Sequence, residues 1–177
     1  NLGESYFHHQ SVTELIIDKL PVSISLGLWS FIIIYSICIP LGIKKAVRHG
    51  SNFDLISSTI ILIGYSIPGF VLGIGLIVLL GGGSFFDIFP TRGIVSDNWD
   101  DLNLLDKIFD YLWHMTLPII CSVIGSFAVM TMLTKNSFIE EINKQYVLMA
   151  KSKGLSENEV LYKHVFKNAL IPILTGF

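Results

Sequence analysis

The side chains able to do chemistry in this sequence are few and poorly placed for catalysis. Three long runs, 20–43, 55–80 and 111–134, carry no acidic or basic residue except His114. A proton or ion relay inside a bilayer needs ionisable groups in such runs. Energy for any pumping therefore has to enter from somewhere else. A phosphate-cradling GxxxxGK[S/T] loop is absent, and the glycine-rich 81–86 lacks its lysine, so it reads as the end of a span. HExxH and GxSxG are absent as well. His8 and His9 are adjacent rather than four apart, so they do not share a helix face as metal ligands do. Asp100 and Asp101 diverge on a helix and read as a solvated acidic rim. The chain is thus expected to have no catalytic residue, no metal and no cofactor of its own.

The polar residues concentrate in 137–168. A helix is predicted over 137–153, with Phe138, Ile142, Tyr146, Met149 and Ala150 on one arc and Glu140, Lys144 and Lys151 opposite. Leu148 falls among those charges. That is the position of an anchor for a partner's groove, or of an ordinary exposed leucine. Gly154 suits the left-handed residue that ends a helix. Ser156 with Glu159 forms a capping-box spacing that starts a second helix running to about Lys167.

The elements that must position this pair are membrane spans. The chain has 177 residues, 51% hydrophobic and 15% charged, against about 25% charged in soluble domains. Mean hydropathy is +0.63. The three uncharged runs each exceed the roughly 20 residues needed to cross a bilayer. Net charge is −2, so nucleic acid is not an expected partner. Cys38 and Cys121 lie inside apolar runs and read as small hydrophobes. Lys44, Lys45 and Arg48 place the turn 44–54 in the cytoplasm. The lysines of 135–168 place that segment there too, and the aspartate-rich 81–110 lies outside, so the N-terminus is periplasmic. His114, near the start of its run, is expected at interface depth without a buried partner.

Prolines and glycines punctuate the runs. Pro40, Pro68 and Pro118 are expected to kink or break their helices. Gly69 and Gly73 have the GxxxG spacing of close helix packing. With Tyr65, Ser66 and Pro68 they mark either a packing face or a moving, pathway-lining helix. Leu102, Leu105, Ile108, Phe109 and Leu112 predict an amphipathic helix on the outer surface. The stretch 11–20 is a second such candidate, with capping-box spacing from Ser11 to Glu14.

The stretch YVLMAKSKGLSENEVLYKHVFKNALIP (146–172) resembles the EAA loop of bacterial ABC-importer permeases, in its oligopeptide and dipeptide uptake variant. The matching residues are Tyr146, Ala150, Lys153, Gly154, Leu155, Ser156, His164, Asn168, Ala169 and Pro172. Gln145 stands where that group usually carries an acidic residue. LGESYF (2–7), the long stretch 20–54 and GGSFFDIFPTRGIVSDNW (82–99) are similar to the branch of that family serving microcin C and peptide uptake.

The resemblance implies an all-α integral membrane protein, a multi-span helical bundle of the type I ABC-importer permease kind. It implies one transmembrane permease domain over 1–177, expected to be a fragment, with a truncated fourth span from about 169. Such a subunit sits in the bacterial inner membrane and forms the substrate pathway with a second permease subunit. It receives substrate from a periplasmic binding protein, and ABC ATPase subunits that use ATP dock on the loop 137–168. Tyr146, Leu148, Ala150, Lys153, Gly154, Leu155 and Ser156 are the expected coupling residues. The competing expectation is an ion-coupled secondary transporter or channel subunit. A membrane-embedded enzyme is disfavoured, because the runs hold no paired acids, nucleophile motif or metal spacing.

Overall fold

The computed structural model describes residues 2–83 and 85–175. Its helices are α1 (Val12–Val47), α2 (Asn52–Ser66), α3 (Gly69–Leu76), α4 (Leu104–Ile142), α5 (Gln145–Ser152), α6 (Glu157–Val160), α7 (Phe166–Ala169) and α8 (Ile171–Thr175). π-turns over Ile77–Gly81 and Leu161–Val165 extend α3 and join α6 to α7. The described residues contain no strand, only an isolated bridge between Glu4 and Ser11. The fold is all-α, as the sequence predicts.

Two helices are long and apolar enough to cross a membrane, or up to three if Asn52–Ser66 and Gly69–Gly81 together make one broken span. At 1.5 Å per residue, the 36 residues of α1 and the 39 of α4 reach about 54 and 58 Å, well beyond a ~30 Å hydrocarbon core. That surplus corrects two expectations. The stretch 11–20 is not a separate surface helix but the first turns of α1, and its start is capped as predicted: the Glu14 amide donates to Ser11 Oγ at 3.2 Å. Likewise the amphipathic stretch around Leu105–Leu112 is the start of α4 rather than an independent outer helix. Helical periodicity was legible in both places, but α1 runs on through Pro21 after the first stretch and no stop signal follows the second.

Of Pro40, Pro68 and Pro118, only Pro68 breaks its helix. Ile67 is extended at φ −84°, ψ 117°, the conformation a following proline favours, and α3 starts afresh at Gly69. Helix α1 runs unbroken through Pro40 and α4 through Pro118.

Contacts divide the chain into two compact units, Asn1–Ile32 with Phe70–Ser122 and Ile33–Gly69 with Val123–Phe177. In the first, Trp29 Nε1 donates to the Tyr111 hydroxyl at 3.1 Å and Trp113 Nε1 to the Ile88 carbonyl at 2.7 Å. Met115, Leu117 and Ile119 are buried there. In the second, Ile43, Ala46, Phe138, Val147, Ala150, Val160, Val165, Ala169 and Ile173 form one apolar core. Ser137 Oγ donates to the Ala169 carbonyl at 2.6 Å, fastening the end of α4 to α7.

Within that second unit, α1 passes α4 closely at Gly42. A Cβ there would lie 2.5 Å from Thr134 Cβ and 2.9 Å from the Thr131 carbonyl oxygen. Gly42→Ala is therefore expected to destabilise the subunit by about 1–3 kcal/mol, the usual cost of overpacking. The measurement is thermal unfolding of the full-length subunit in detergent. An unchanged midpoint would mean the crossing is looser than described.

Candidate coupling site

The predicted helix over 137–153 is in fact two. Helix α4 stops at Ile142, and Lys144 is extended at φ −74°, ψ 152° before α5 begins at Gln145. The reason is polar: Glu141, buried at the end of α4, collects its partners across this break. Lys144 Nζ pairs with it, and the Tyr146 hydroxyl donates to its Oε2 at 2.7 Å. Asn168 Nδ2 in turn donates to the Tyr146 oxygen at 3.4 Å. Burial pushes the Glu141 carboxyl up, but the Lys144 and Tyr146 hydrogen bonds outweigh it and hold the carboxyl below its ordinary range. Burial, then the hydrogen bond to Glu141, raises the Tyr146 phenol.

The break rotates α5 relative to a continuous helix, which changes the buried arc. Phe138, Val147 and Ala150 are buried and Tyr146 is half-buried. Met149, expected on that arc, is 61% exposed beside Leu148 at 63%. The outward face of α5 thus carries two adjacent large apolar side chains. Lys153 also projects outward.

The turn after α5 is built from local signals. Lys153 N–H bonds to the Met149 and Ala150 carbonyls, and Gly154 N–H to the Lys151 carbonyl at 3.0 Å. Gly154 has φ +84°, where an L side chain is strained. Leu155 then packs back on the core. Ser156 Oγ accepts from the Glu159 amide at 3.3 Å while Glu159 Oε2 accepts from the Ser156 amide at 3.1 Å, the complete capping box. Lys163, 3.0 Å from Glu159, and the Ser156 amide and hydroxyl pull the Glu159 carboxyl down to about 2. Of the seven residues singled out from the sequence, Tyr146, Ala150 and Leu155 face the core. Gly154 and Ser156 set the backbone, and Leu148 and Lys153 face out.

Sequence reasoning missed the ionic clasp beside this site. Lys45, read only as one of the residues that orient the turn 44–54, is fully buried. Its ammonium lies 3.1 Å from Asp54 Oδ1 and donates to the Asp54 carbonyl, Ser57 Oγ and Ser58 Oγ at 2.7–2.9 Å. Lys135 of α4 reaches Asp54 Oδ2 at 2.8 Å, and the Gly50 amide donates to the same oxygen at 3.2 Å. One carboxylate thus ties the end of α1, the turn 48–51 and the start of α2 to α4. Asp54 lies just ahead of the apolar run. Burial alone would raise its carboxyl, but Lys135, the Gly50 amide and Lys45 hold it far below the ordinary range. The signal that could have flagged it is Ser51, whose Oγ caps the Asp54 amide at 3.3 Å in a recognisable helix start.

The pathway candidates are spread along the broken element. Tyr65 is half exposed, and Ser66 Oγ bonds its own helix at the Leu62 carbonyl, 2.8 Å away. Pro68 and Gly69 are exposed, and nothing would meet a Cβ on Gly69. A Cβ on Gly73 would touch Cys121 Sγ at 3.7 Å, so only the second glycine of the GxxxG pair sits against a described neighbour.

Residues 38–177 match the family described as binding-protein-dependent transport system inner membrane component. Over all 177 residues the chain is 61% identical to the peptidoglycan transport system permease protein YejB of Agrobacterium fabrum, and 58% identical to the inner membrane ABC transporter permease protein YejB of Escherichia coli O157:H7. It covers 49% of each of those proteins. Over 166 residues, 94% of this chain, it is 36% identical to the oligopeptide transport system permease protein AppB of Bacillus subtilis, half of whose length is covered. The chain therefore spans about half the length of the curated relatives it matches. It is a membrane protein, and it belongs to the family of binding-protein-dependent transport system inner membrane components.

Proposed function

We propose that this chain is part of the transmembrane permease subunit of an ATP-driven importer for peptide-class substrates. The observation that carries the reading is the exposed pair Leu148 and Met149 on a short helix fixed at both ends by the Glu141–Lys144–Tyr146 cluster and the Gly154 turn. A rigidly held apolar pair suits docking into a groove of a soluble motor. The family and the permease names of the relatives support the same assignment.

In this reading 20–43, 55–80 and 111–134 cross the inner membrane, and a fourth span starts near 169. The N-terminus is periplasmic, and 44–54 and 135–168 are cytoplasmic, as their lysines favour. A second permease subunit completes the pathway, to which Tyr65, Ser66, Pro68, Gly69 and Gly73 contribute. A periplasmic binding protein delivers substrate. ABC ATPase subunits hydrolyse the ATP, and this chain binds no cofactor and catalyses no reaction. ATP-driven closure of the motor moves α5, and the Lys45–Asp54–Lys135 clasp carries that displacement to α1, α2 and α4 together.

The test is uptake of labelled peptide by the full-length subunit, reconstituted with its partner permease, ATPases and binding protein in liposomes. Uptake is expected to require ATP hydrolysis and to survive ionophores. Uptake driven by an ion gradient without ATP would identify a secondary transporter instead.

A further inference from the structure

His114 was expected to need no buried partner, yet its side chain is only 4% exposed and pairs with Asp110. Burying an imidazole is costly unless its nitrogens are satisfied. Nδ1 lies 2.9 Å from the Asp110 carbonyl oxygen. A carbonyl only accepts, so Nδ1 carries the hydrogen, and in the neutral ring Nε2 is left as a bare acceptor. The Asp110 carboxylate, 3.6 Å from Nδ1, is itself held by the Ser96 amide at 2.8 Å and the Ser96 hydroxyl at 2.5 Å. This chain of bonds orients the ring. Nε2 makes no hydrogen bond among the described residues, and His114 lines an open cavity whose other walls are Arg92, Gly93, Val95, Ser96, Asp97 and Asn98.

We propose that this cavity binds the ammonium end of a peptide. Its acceptors are His114 Nε2 and the exposed carboxylate of Asp97, which has no ion pair among the described residues. Its cation is Arg92, suited to the carbonyl oxygen that follows a peptide's amino group. A carboxylate or phosphate would instead meet the Asp97 charge and the Nε2 lone pair. The surrounding segment reinforces the choice: 85–110 carries Asp87, Asp97, Asp100, Asp101, Asp106 and Asp110 against only Arg92 and Lys107. Such a surplus concentrates cations at the cavity mouth. The inference rests on the proposed peptide-transport reading for naming a peptide as the amine that binds.

Trp113 packs edge-on against the His114 ring with centroids 5.7 Å apart, which supplies a reporter. Trialanine, N-acetyl-trialanine and trialanine amide are titrated into the intact transporter without ATP. Binding is read from the tryptophan emission that Trp113→Phe removes. Trialanine and its amide are expected to bind alike, while acetylation of the amine, or Asp97→Asn, weakens binding roughly tenfold or more, as expected for a lost hydrogen bond to a charged group. His114→Leu should do the same, and His114→Gln, which keeps an acceptor, should recover part of it. Asp97 is exposed, so its substitution leaves the fold intact. Equal binding of the acetylated peptide, loss with the amide instead, or no trialanine signal would each overturn the proposal. ATP-driven uptake with no effect of Asp97→Asn on that signal would overturn this site and not the importer reading. Gradient-driven uptake with the expected binding pattern would do the reverse.

Discussion

Asp54→Asn is expected to destabilise the subunit by about 3–5 kcal/mol, the cost of removing one partner of a buried ion pair. The reason lies in what stays behind. Lys45 has no path to water, and opposite asparagine its ammonium keeps only neutral acceptors, the two serine hydroxyls, a backbone carbonyl and the amide oxygen. Lys135 loses the same partner. Asparagine preserves the shape and leaves the Ser51 cap in place, so the loss reports charge rather than packing. Adding Lys45→Met to Asp54→Asn should restore part of the stability, because the fully buried ammonium is then gone and only Lys135, 12% exposed, lacks its partner. The pH dependence has a definite sign. A carboxyl held below its ordinary value in the folded state stabilises fully above an unfolded pKa of about 4. That contribution shrinks as pH falls from there toward the depressed folded value. Wild-type stability should thus decline on acidification more than that of Asp54→Asn. Thermal unfolding of the full-length subunit in detergent measures both effects. An Asp54→Asn midpoint equal to wild type would show that the clasp contributes nothing.

Leu148→Glu is expected to reduce ATP-driven uptake at least tenfold while leaving the subunit folded. Leu148 is 63% exposed and makes no core contact, and such surface substitutions usually change stability by no more than about 0.5 kcal/mol. In a partner's groove the same side chain contributes roughly 1.5–3 kcal/mol of burial, and an unpaired carboxylate there adds a desolvation cost. Gly154→Val tests the joint rather than the contact. At φ +84° valine costs about 1–2 kcal/mol of backbone strain, which the turn relieves by shifting α5 against α6. Uptake should fall while ATP hydrolysis persists, no longer stimulated by substrate. Wild-type uptake from both variants would remove the coupling role from this segment.

What could be read from the sequence follows from distance along the chain. The Ser11–Glu14 and Ser156–Glu159 caps, the Gly154 turn and the break at Pro68 are each decided within about four residues, and all four stand in the structure. The clasp could not be read this way. Asp54 and Lys135 are 81 positions apart, and a lysine at the end of an apolar run looks the same whether it faces water or a carboxylate. The stop at Ile142 was hidden for a related reason. Helical periodicity continues across 143–144, and only Glu141's need for partners from beyond the break interrupts it. That one misjudged boundary moved Met149 from the buried arc to the exposed face and left Val147 unnoticed in the core. The partners of His114 were missed because hydropathy registers depth and not the Asp110–Ser96 arrangement that orients its ring.

The most direct test of the central claim is cross-linking from Leu148→Cys in the intact transporter, made cysteine-free elsewhere in the permease. A short thiol-reactive linker should join position 148 to the ATPase subunit, and nucleotide should change its yield. Asn143→Cys, also exposed but before α5 begins, should react less. Failure of position 148 to reach the ATPase in any nucleotide state, with efficient cross-links formed from another segment of this chain, would contradict the assignment of α5 as the docking helix.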